Sequence, residues 1–147
     1  MYYIHYGNTL FDRYAFKKIQ NHPFMAKPEG GFWASRVDAR YGWKEWSSEN
    51  DFGECKEENS FVFTLKENAK ILEIHSVYDL EGLPRLEIKE QFRAMMWEHI
   101  DYEKLAKEYD AIEIFISDDR NLYWSLYGWD CDSIVIMNPN VIVEVER

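Results

Sequence analysis

A series of short apolar segments, each followed by polar or turn-forming residues, constrains the fold of this chain more than any other feature. In residues 60–66, Phe61, Phe63 and Leu65 alternate with Val62, Thr64 and Lys66. An alternation with a period of two is typical of a β-strand that buries one face. Further short segments rich in apolar residues occur at 70–75, 111–117, 133–137 and 141–145. The chain is therefore predicted to contain several short strands.

Two of these strands are predicted to pair directly, and two helices are predicted before the later strands. Residues 60–66 and 70–75 flank a short polar turn, which favours an antiparallel hairpin. Between residues 86 and 100 the apolar side chains that recur at helical spacing are Ile88, Phe92, Met95 and Met96. Asp101 is a typical N-cap residue for a second, short amphipathic helix over 102–109.

The order of strands and helices sets the predicted fold class. A parallel, doubly wound sheet needs strands and helices that alternate regularly, and this chain lacks that order. We therefore predict an α+β protein with mainly antiparallel, split β-sheets and flanking helices. A chain of 147 residues, 46% of them hydrophobic, is long enough for one core, so we expect a single domain over residues 1–147.

Charge, hydropathy and cysteine content disfavour several classes of protein. Seventeen basic and 27 acidic residues give a net charge of −10, which argues against a surface that binds duplex nucleic acid. No apolar run approaches the roughly 20 residues of a membrane helix. No secretory signal is visible, so we expect a cytoplasmic protein. Two distant cysteines and four dispersed histidines lack the spacing of metal ligands, and we predict no metal site.

The chain is unusually rich in aromatic residues. Six Trp, ten Tyr and nine Phe make up 17% of the chain, more than a core of this size needs, so some of them are expected to line a binding surface. The stretch 13–44 holds seven basic residues against two acidic ones, Glu29 and Asp38. Such a stretch is either solvated surface or a basic rim for an anionic ligand.

Three separated segments combine aromatic and polar groups in a way that suits a binding site. Residues 3–7 place His5 in a short apolar strand that ends in glycine, where an imidazole is either a hydrogen-bonded core group or a functional one. Residues 27–46 contain adjacent glycines and several indoles, which either fill the core or stack on a ring. In residues 123–133, Asp130 and Asp132 precede an apolar strand, where an acid is either a solvated or capping group or an active-site carboxylate.

Together these segments resemble the mono-ADP-ribosyltransferase superfamily in its His-Tyr-Glu version, the branch of diphtheria-type toxins and poly-ADP-ribose polymerases. His5-Tyr6-Gly7 is similar to the family's His followed closely by Gly, with one residue inserted. The segment 31–35 is similar to its Gly-x-Tyr element, with Trp33 in the aromatic place. Asp132 takes the position of the glutamate that opens a late strand. The order of the three elements along the chain agrees with the family.

The resemblance implies that NAD is the substrate and that the nicotinamide–ribose bond is cleaved. His5 would hydrogen-bond the adenosine-side ribose, Trp33 would stack on nicotinamide, and the backbone near Gly7 would bind the carboxamide. Asp132 would orient the nicotinamide ribose, and ADP-ribose would pass to an unknown acceptor such as a protein. The implied cofactor-binding residues are His5, Tyr6, Gly7, Trp33, Ser35, Tyr41 and Trp43, and the implied catalytic residues are Asp132 and His5.

Two other interpretations remain at this point. Asp132 is one methylene shorter than the family's glutamate, roughly 1.5 Å less reach, which fits a non-catalytic module that uses an aromatic groove for a nucleotide or a peptide. The other interpretation makes Cys131 a nucleophile. Cys131 lies between Asp130 and Asp132, and neighbouring carboxylates raise the pKa of a thiol, so this interpretation is disfavoured.

Overall fold

The computed structural model describes residues 1–53, 55–87 and 97–145. Seven strands form one mixed sheet with the order β4-β5-β6-β2-β1-β3-β7. The strands are β1 (Tyr3–Tyr6), β2 (Phe32–Arg36), β3 (Ser60–Leu65), β4 (Ile71–Ile74), β5 (Ala111–Ile114), β6 (Ser133–Ile136) and β7 (Ile142–Glu144). The α-helices within the described ranges are α1 (Trp43–Glu49), α2 (Tyr102–Leu105) and α3 (Arg120–Ser125). The α+β class predicted from the sequence is confirmed.

The arrangement of the strands corrects the prediction of split, mainly antiparallel sheets. All seven strands belong to a single sheet, and that sheet is mixed because β4 and β5 run parallel. The predicted hairpin is wrong: β3 pairs with β1 and β7, whereas β4 pairs with β5. Both hydrogen-bonding edges of β3 are occupied, one by β1 and the other by β7, which leaves no edge for β4.

One of the two predicted helices is present but shorter than expected, and most of the other lies outside the described residues. Asp101 caps α2 as expected, since its carboxylate accepts a hydrogen bond of 3.0 Å from the backbone N–H of Lys104, but this helix ends at Leu105 rather than near 109. Of the helix predicted between 86 and 100, residues 88–96 lie outside the described residues. Within the part of the chain that is described, no helix has the length and apolar character needed to cross a membrane.

The core on one side of the sheet fixes the segment that precedes β2. Trp129 is completely buried, and its indole N–H donates to the hydroxyl of Tyr102 at 3.0 Å. That hydroxyl donates in turn to the carbonyl of Ala26, which is also completely buried. Buried polar groups need partners, and this chain of bonds supplies them. The backbone next to Lys27 is therefore anchored in the core.

Candidate functional site

A pocket of about 410 Å³ opens where the end of β1, the start of β2 and α1 come together. Its lining residues are His5, Tyr6, Gly7, Lys27, Trp33, Trp43, Ser47, Phe52, Gly53, Cys55 and Asn59. Five of the site residues predicted from the sequence are among them, namely His5, Tyr6, Gly7, Trp33 and Trp43. His5 and Trp33, which are 28 positions apart in the sequence, thus meet in one cavity, which we call the aromatic pocket.

The turn after β1 shapes one edge of the aromatic pocket. Gly7 has a φ of +118°, a value that favours glycine, and its N–H donates to the carbonyl of Asn59 at 2.8 Å. A Cβ atom at Gly7 would lie 3.8 Å from Nε2 of His5, which is an ordinary contact distance. The backbone conformation, rather than lack of space, therefore requires glycine here, and the Nε2 side of His5 faces this turn.

The environment of His5 fixes which nitrogen carries the proton. Nδ1 lies 2.7 Å from the carbonyl oxygen of Trp33, and a carbonyl can only accept, so Nδ1 donates. Burial lowers the pKa of His5 below its ordinary value of 6.5, an effect that the Trp33 carbonyl opposes. The imidazole is therefore neutral at pH 7, and Nε2 carries a lone pair. His5 presents a hydrogen-bond acceptor at the pocket wall.

The two indoles of the pocket are held by different elements. Trp33 belongs to β2, where its indole N–H donates to the carbonyl of Gly30 at 2.9 Å and its ring lies 4.8 Å from that of Trp129. Trp43 begins α1, and its backbone N–H donates to Oγ of Ser35 at 3.0 Å. The ring of Trp33 is thus held by its own hydrogen bond, whereas the ring of Trp43 packs edge-on against Trp46 with 5.7 Å between the centroids, and its buried N–H has no partner among the described residues.

A close approach of α1 to β2 positions Trp43. A Cβ atom at Gly42 would lie 3.0 Å from Oγ of Ser35 and 3.1 Å from Cβ of Ala39, which is tighter than most contacts. Glu45 accepts a hydrogen bond of 2.9 Å from the N–H of Gly42 and so closes the start of the helix. Glycine at position 42 therefore lets α1 begin directly beside β2.

Lys27 is the cation of the aromatic pocket. Its Nζ lies 4.5 Å from the ring centroid of Trp33 and 5.1 Å from that of Trp43. Burial lowers the pKa of Lys27, and the nearby carboxylate of Asp130 opposes this change. Among the described residues, no Asp or Glu oxygen lies within 4.0 Å of Nζ, and Nζ makes no hydrogen bond. The ammonium therefore keeps its N–H donors for a ligand.

Asp132 does not line the aromatic pocket. It lies along a second, polar pocket of about 220 Å³, and only 6% of its surface is exposed. Its Oδ1 accepts from the N–H of Ser117 at 2.8 Å, and its Oδ2 accepts from Oγ of Ser117 at 2.6 Å and from the N–H of Tyr41 at 3.4 Å. The carboxylate is thus engaged by the turn at 116–118 and by the segment before α1.

Ser35 and Tyr41 also lie outside the lining of the aromatic pocket. Oγ of Ser35 donates to the carbonyl of Asp132 at 2.8 Å while it accepts from Trp43. The carbonyl of Tyr41 accepts from the N–H of Asp132 at 2.7 Å, and its hydroxyl donates to Glu49 at 2.6 Å. The predicted site residues therefore form two groups. Five line the aromatic pocket, and Ser35, Tyr41 and Asp132 form hydrogen bonds that hold the start of α1, the helix that carries Trp43.

A buried ion pair adjoins the second pocket. Nε and Nη2 of Arg36 contact the two carboxylate oxygens of Glu113 at 2.7 and 2.9 Å, and the hydroxyl of Tyr3 donates to Glu113 at 3.2 Å. The side chain of Glu113 is 4% exposed. The hydrogen bonds and the guanidinium compensate for the cost of burying this carboxylate, and they join β1, β2 and β5.

The structure adds lining residues that the sequence did not single out. Lys27 is the most consequential, and it belongs to the basic stretch 13–44 without any local pattern that marks it. Cys55 lies 3.2 Å from Oγ of Ser47 in the same pocket. Cys131, by contrast, is completely buried, and burial raises the pKa of its thiol, which argues further against a nucleophile there.

The polar side chains that line the aromatic pocket include an imidazole, an ammonium and a thiol. None of its described lining residues is Asp or Glu. In the described ranges, no group of three His, Cys, Asp or Glu side chains could hold a metal ion. The chain matches no protein-family model, no curated protein and no solved structure. The arguments that follow therefore depend on the geometry and the residues of the pocket.

Proposed function

We propose that the aromatic pocket binds a nucleotide, with NAD as the first ligand to test. The observation that carries this proposal is Lys27, an ammonium in contact with two indoles and without a carboxylate partner among the described residues. A flat ring suits the indole faces, and a phosphate suits the ammonium. A nucleotide supplies both groups in one molecule.

His5 adds a directional contact to this proposal. Its Nε2 is an acceptor because Nδ1 donates to the carbonyl of Trp33. A ligand hydroxyl or amide N–H can therefore donate to His5, as a ribose or a carboxamide would. A volume of about 410 Å³ is within the range of small-molecule pockets, roughly 300 to 1,000 Å³.

Cleavage of NAD with transfer of ADP-ribose to an acceptor such as a protein is the second candidate function. One observation favours it: the pocket gathers His5, Tyr6, Gly7, Trp33 and Trp43, all of which the resemblance to ADP-ribosyltransferases assigns to NAD. Binding without turnover ranks first because the carboxylate of Asp132 is engaged by Ser117 and lies outside the pocket lining. An ADP-ribosyltransferase-like fold is part of this second proposal.

Thermal unfolding with and without NAD tests the binding proposal. A ligand that binds only the native state stabilises it by about 2.7 kcal/mol when its concentration is 100 times Kd. We expect millimolar NAD to raise the Tm of the wild-type protein and of Trp124→Leu, whose indole is 70% exposed and does not line the pocket. Trp43→Leu should lose most of the shift. A folded wild-type protein whose Tm does not respond to NAD contradicts the proposal.

Release of nicotinamide from NAD separates the two candidate functions. A catalytic pocket predicts release that disappears in His5→Ala and falls strongly in Asp132→Asn, with Cys131→Ala unaffected. A binding module predicts that NAD raises the Tm while no nicotinamide above the uncatalysed rate is detected by chromatography. The two outcomes differ in the product alone, so the same protein preparation serves both measurements.

A further inference from the structure

The ammonium of Lys27 occupies the place that a stacked ring needs. Nζ lies over the rings of both Trp33 and Trp43, at 4.5 and 5.1 Å from their centroids. Carbon atoms of two stacked rings approach each other to about 3.5–4.0 Å. A ligand ring that stacks on these indoles and the ammonium therefore exclude each other, and Nζ must move when such a ring enters.

We infer that Lys27 makes the pocket selective for ligands that carry an anion next to a flat ring. The ring replaces the ammonium over the indoles, and the anion receives the displaced ammonium. This inference rests on the proposed function, since it assumes that a ring stacks in the aromatic pocket. It adds a class of ligand, namely molecules such as mononucleotides that carry both a flat ring and a phosphate. It also names the residue, Lys27, that selects for them.

The surroundings of Lys27 allow its side chain to move while its backbone stays in place. The preceding residue, Ala26, is completely buried and its carbonyl is held by the hydroxyl of Tyr102. A Cβ atom at Gly128 would lie 2.9 Å from Cβ of Lys27, so the base of the side chain is closely packed. Beyond it, a lysine stem is flexible and its ammonium can swing to a new partner.

Charge balance explains why a neutral ring alone should bind weakly. Such a ring removes the ammonium from two indole faces, and cation–π contacts of this kind are favourable. Asp130 attracts the ammonium but makes no ion pair with it in its present position. An anion on the ligand restores a partner for Nζ. Ring and anion should therefore bind cooperatively.

The first test uses the wild-type protein and separates ring from anion. Nicotinamide supplies the ring alone, inorganic phosphate the anion alone, and nicotinamide mononucleotide both. By titration calorimetry we expect nicotinamide mononucleotide to bind at least about tenfold more tightly than nicotinamide, and phosphate to increase the affinity for nicotinamide at constant ionic strength. Phosphate that competes with nicotinamide, or leaves its affinity unchanged, overturns the inference.

The second test removes the charge of Lys27. Lys27→Met keeps most of the stem and lacks the ammonium. We expect its affinity for nicotinamide mononucleotide to fall about tenfold, while its affinity for nicotinamide rises. Lys107→Met, which removes an exposed lysine outside the pocket lining, should change neither. Parallel changes for the two ligands, or no change, refute the role given to Lys27.

The outcomes distinguish this inference from the proposed function. If nicotinamide mononucleotide and NAD both fail to bind the wild-type protein, the proposed function and the inference fall together. If they bind but the affinities of Lys27→Met do not change in opposite directions, only the inference falls. Should Lys27→Met not fold, as judged by circular dichroism, the effect of phosphate on nicotinamide binding to the wild-type protein decides.

Discussion

Replacement of Asp132 by alanine should destabilise the protein strongly. The carboxylate accepts two short hydrogen bonds from Ser117, at 2.8 and 2.6 Å, and a longer one from Tyr41 at 3.4 Å. Hydrogen bonds to charged groups contribute about 1.5–3 kcal/mol each, and the long bond contributes little. We therefore expect Asp132→Ala to lower the free energy of unfolding by about 3–5 kcal/mol.

Asp132→Asn should lower the free energy of unfolding less than Asp132→Ala does, because asparagine has the same shape as aspartate. The amide oxygen can still accept from the N–H of Ser117, and the amide nitrogen can donate to Oγ of Ser117. The charge and the bond from Tyr41 are lost, so we expect a cost of about 1–2 kcal/mol. Asp38→Ala serves as the control, since Asp38 lines the same second pocket but is exposed. It should stay within about 0.5 kcal/mol of the wild type.

Urea denaturation followed by circular dichroism measures these differences. With a urea dependence of about 1–3 kcal/mol per molar, Asp132→Ala should move the midpoint down by about 2 M. A free energy of unfolding for Asp132→Ala within about 1 kcal/mol of the wild type would refute the reasoning. Loss of NAD binding in Asp132→Asn with unchanged stability would also refute the reasoning. That result would mean that Asp132 contacts the ligand rather than supporting the fold.

Two further predictions concern the buried ion pair and the imidazole. Arg36→Met leaves the carboxylate of Glu113 buried without its cation, and it should lower the free energy of unfolding, measured by urea denaturation, by about 3–5 kcal/mol. Arg36→Met/Glu113→Gln removes the buried charge and keeps an acceptor for the hydroxyl of Tyr3, so it should recover most of this loss, and no recovery in the double variant contradicts the reasoning. His5 has a pKa below 6.5 in the folded protein, so the unfolded chain takes up a proton first and stability falls as the pH drops through about 6.5. His5→Gln should reduce this slope, by at most about 1.4 kcal/mol per pH unit for one proton, and identical slopes in the two proteins would disprove the assignment.

The positions of the strands were accessible from the sequence, but their pairing was not. The alternation in residues 60–66 and the apolar run at 133–137 are local signals, and strands lie there. Pairing depends on which side chains share a core. Phe61 and Phe63 pack with Tyr3, which lies nearly 60 positions away, and no turn next to β3 reveals this partner. The compact turn after β3 therefore suggested a hairpin that does not form.

The candidate site was predictable to the extent that its residues carry a distinctive type or context. His5 before a glycine and Trp33 after two glycines stand out, and both line the pocket. Lys27 does not stand out, because only the folded chain brings its ammonium over two indoles. Asp132 was singled out by its place before a strand, whereas the sequence gives no sign that the turn containing Ser117 engages its carboxylate.

The place of β6 in the strand order has a consequence for synthesis on the ribosome. β6 lies between β5 and β2, and it joins β4 and β5 to β2, β1 and β3. Until residues 133–136 have left the exit tunnel, the two groups of strands share no hydrogen-bonded neighbour. A nascent chain that ends before them would expose the apolar edges of β5 and β2 and would be a natural client for chaperones.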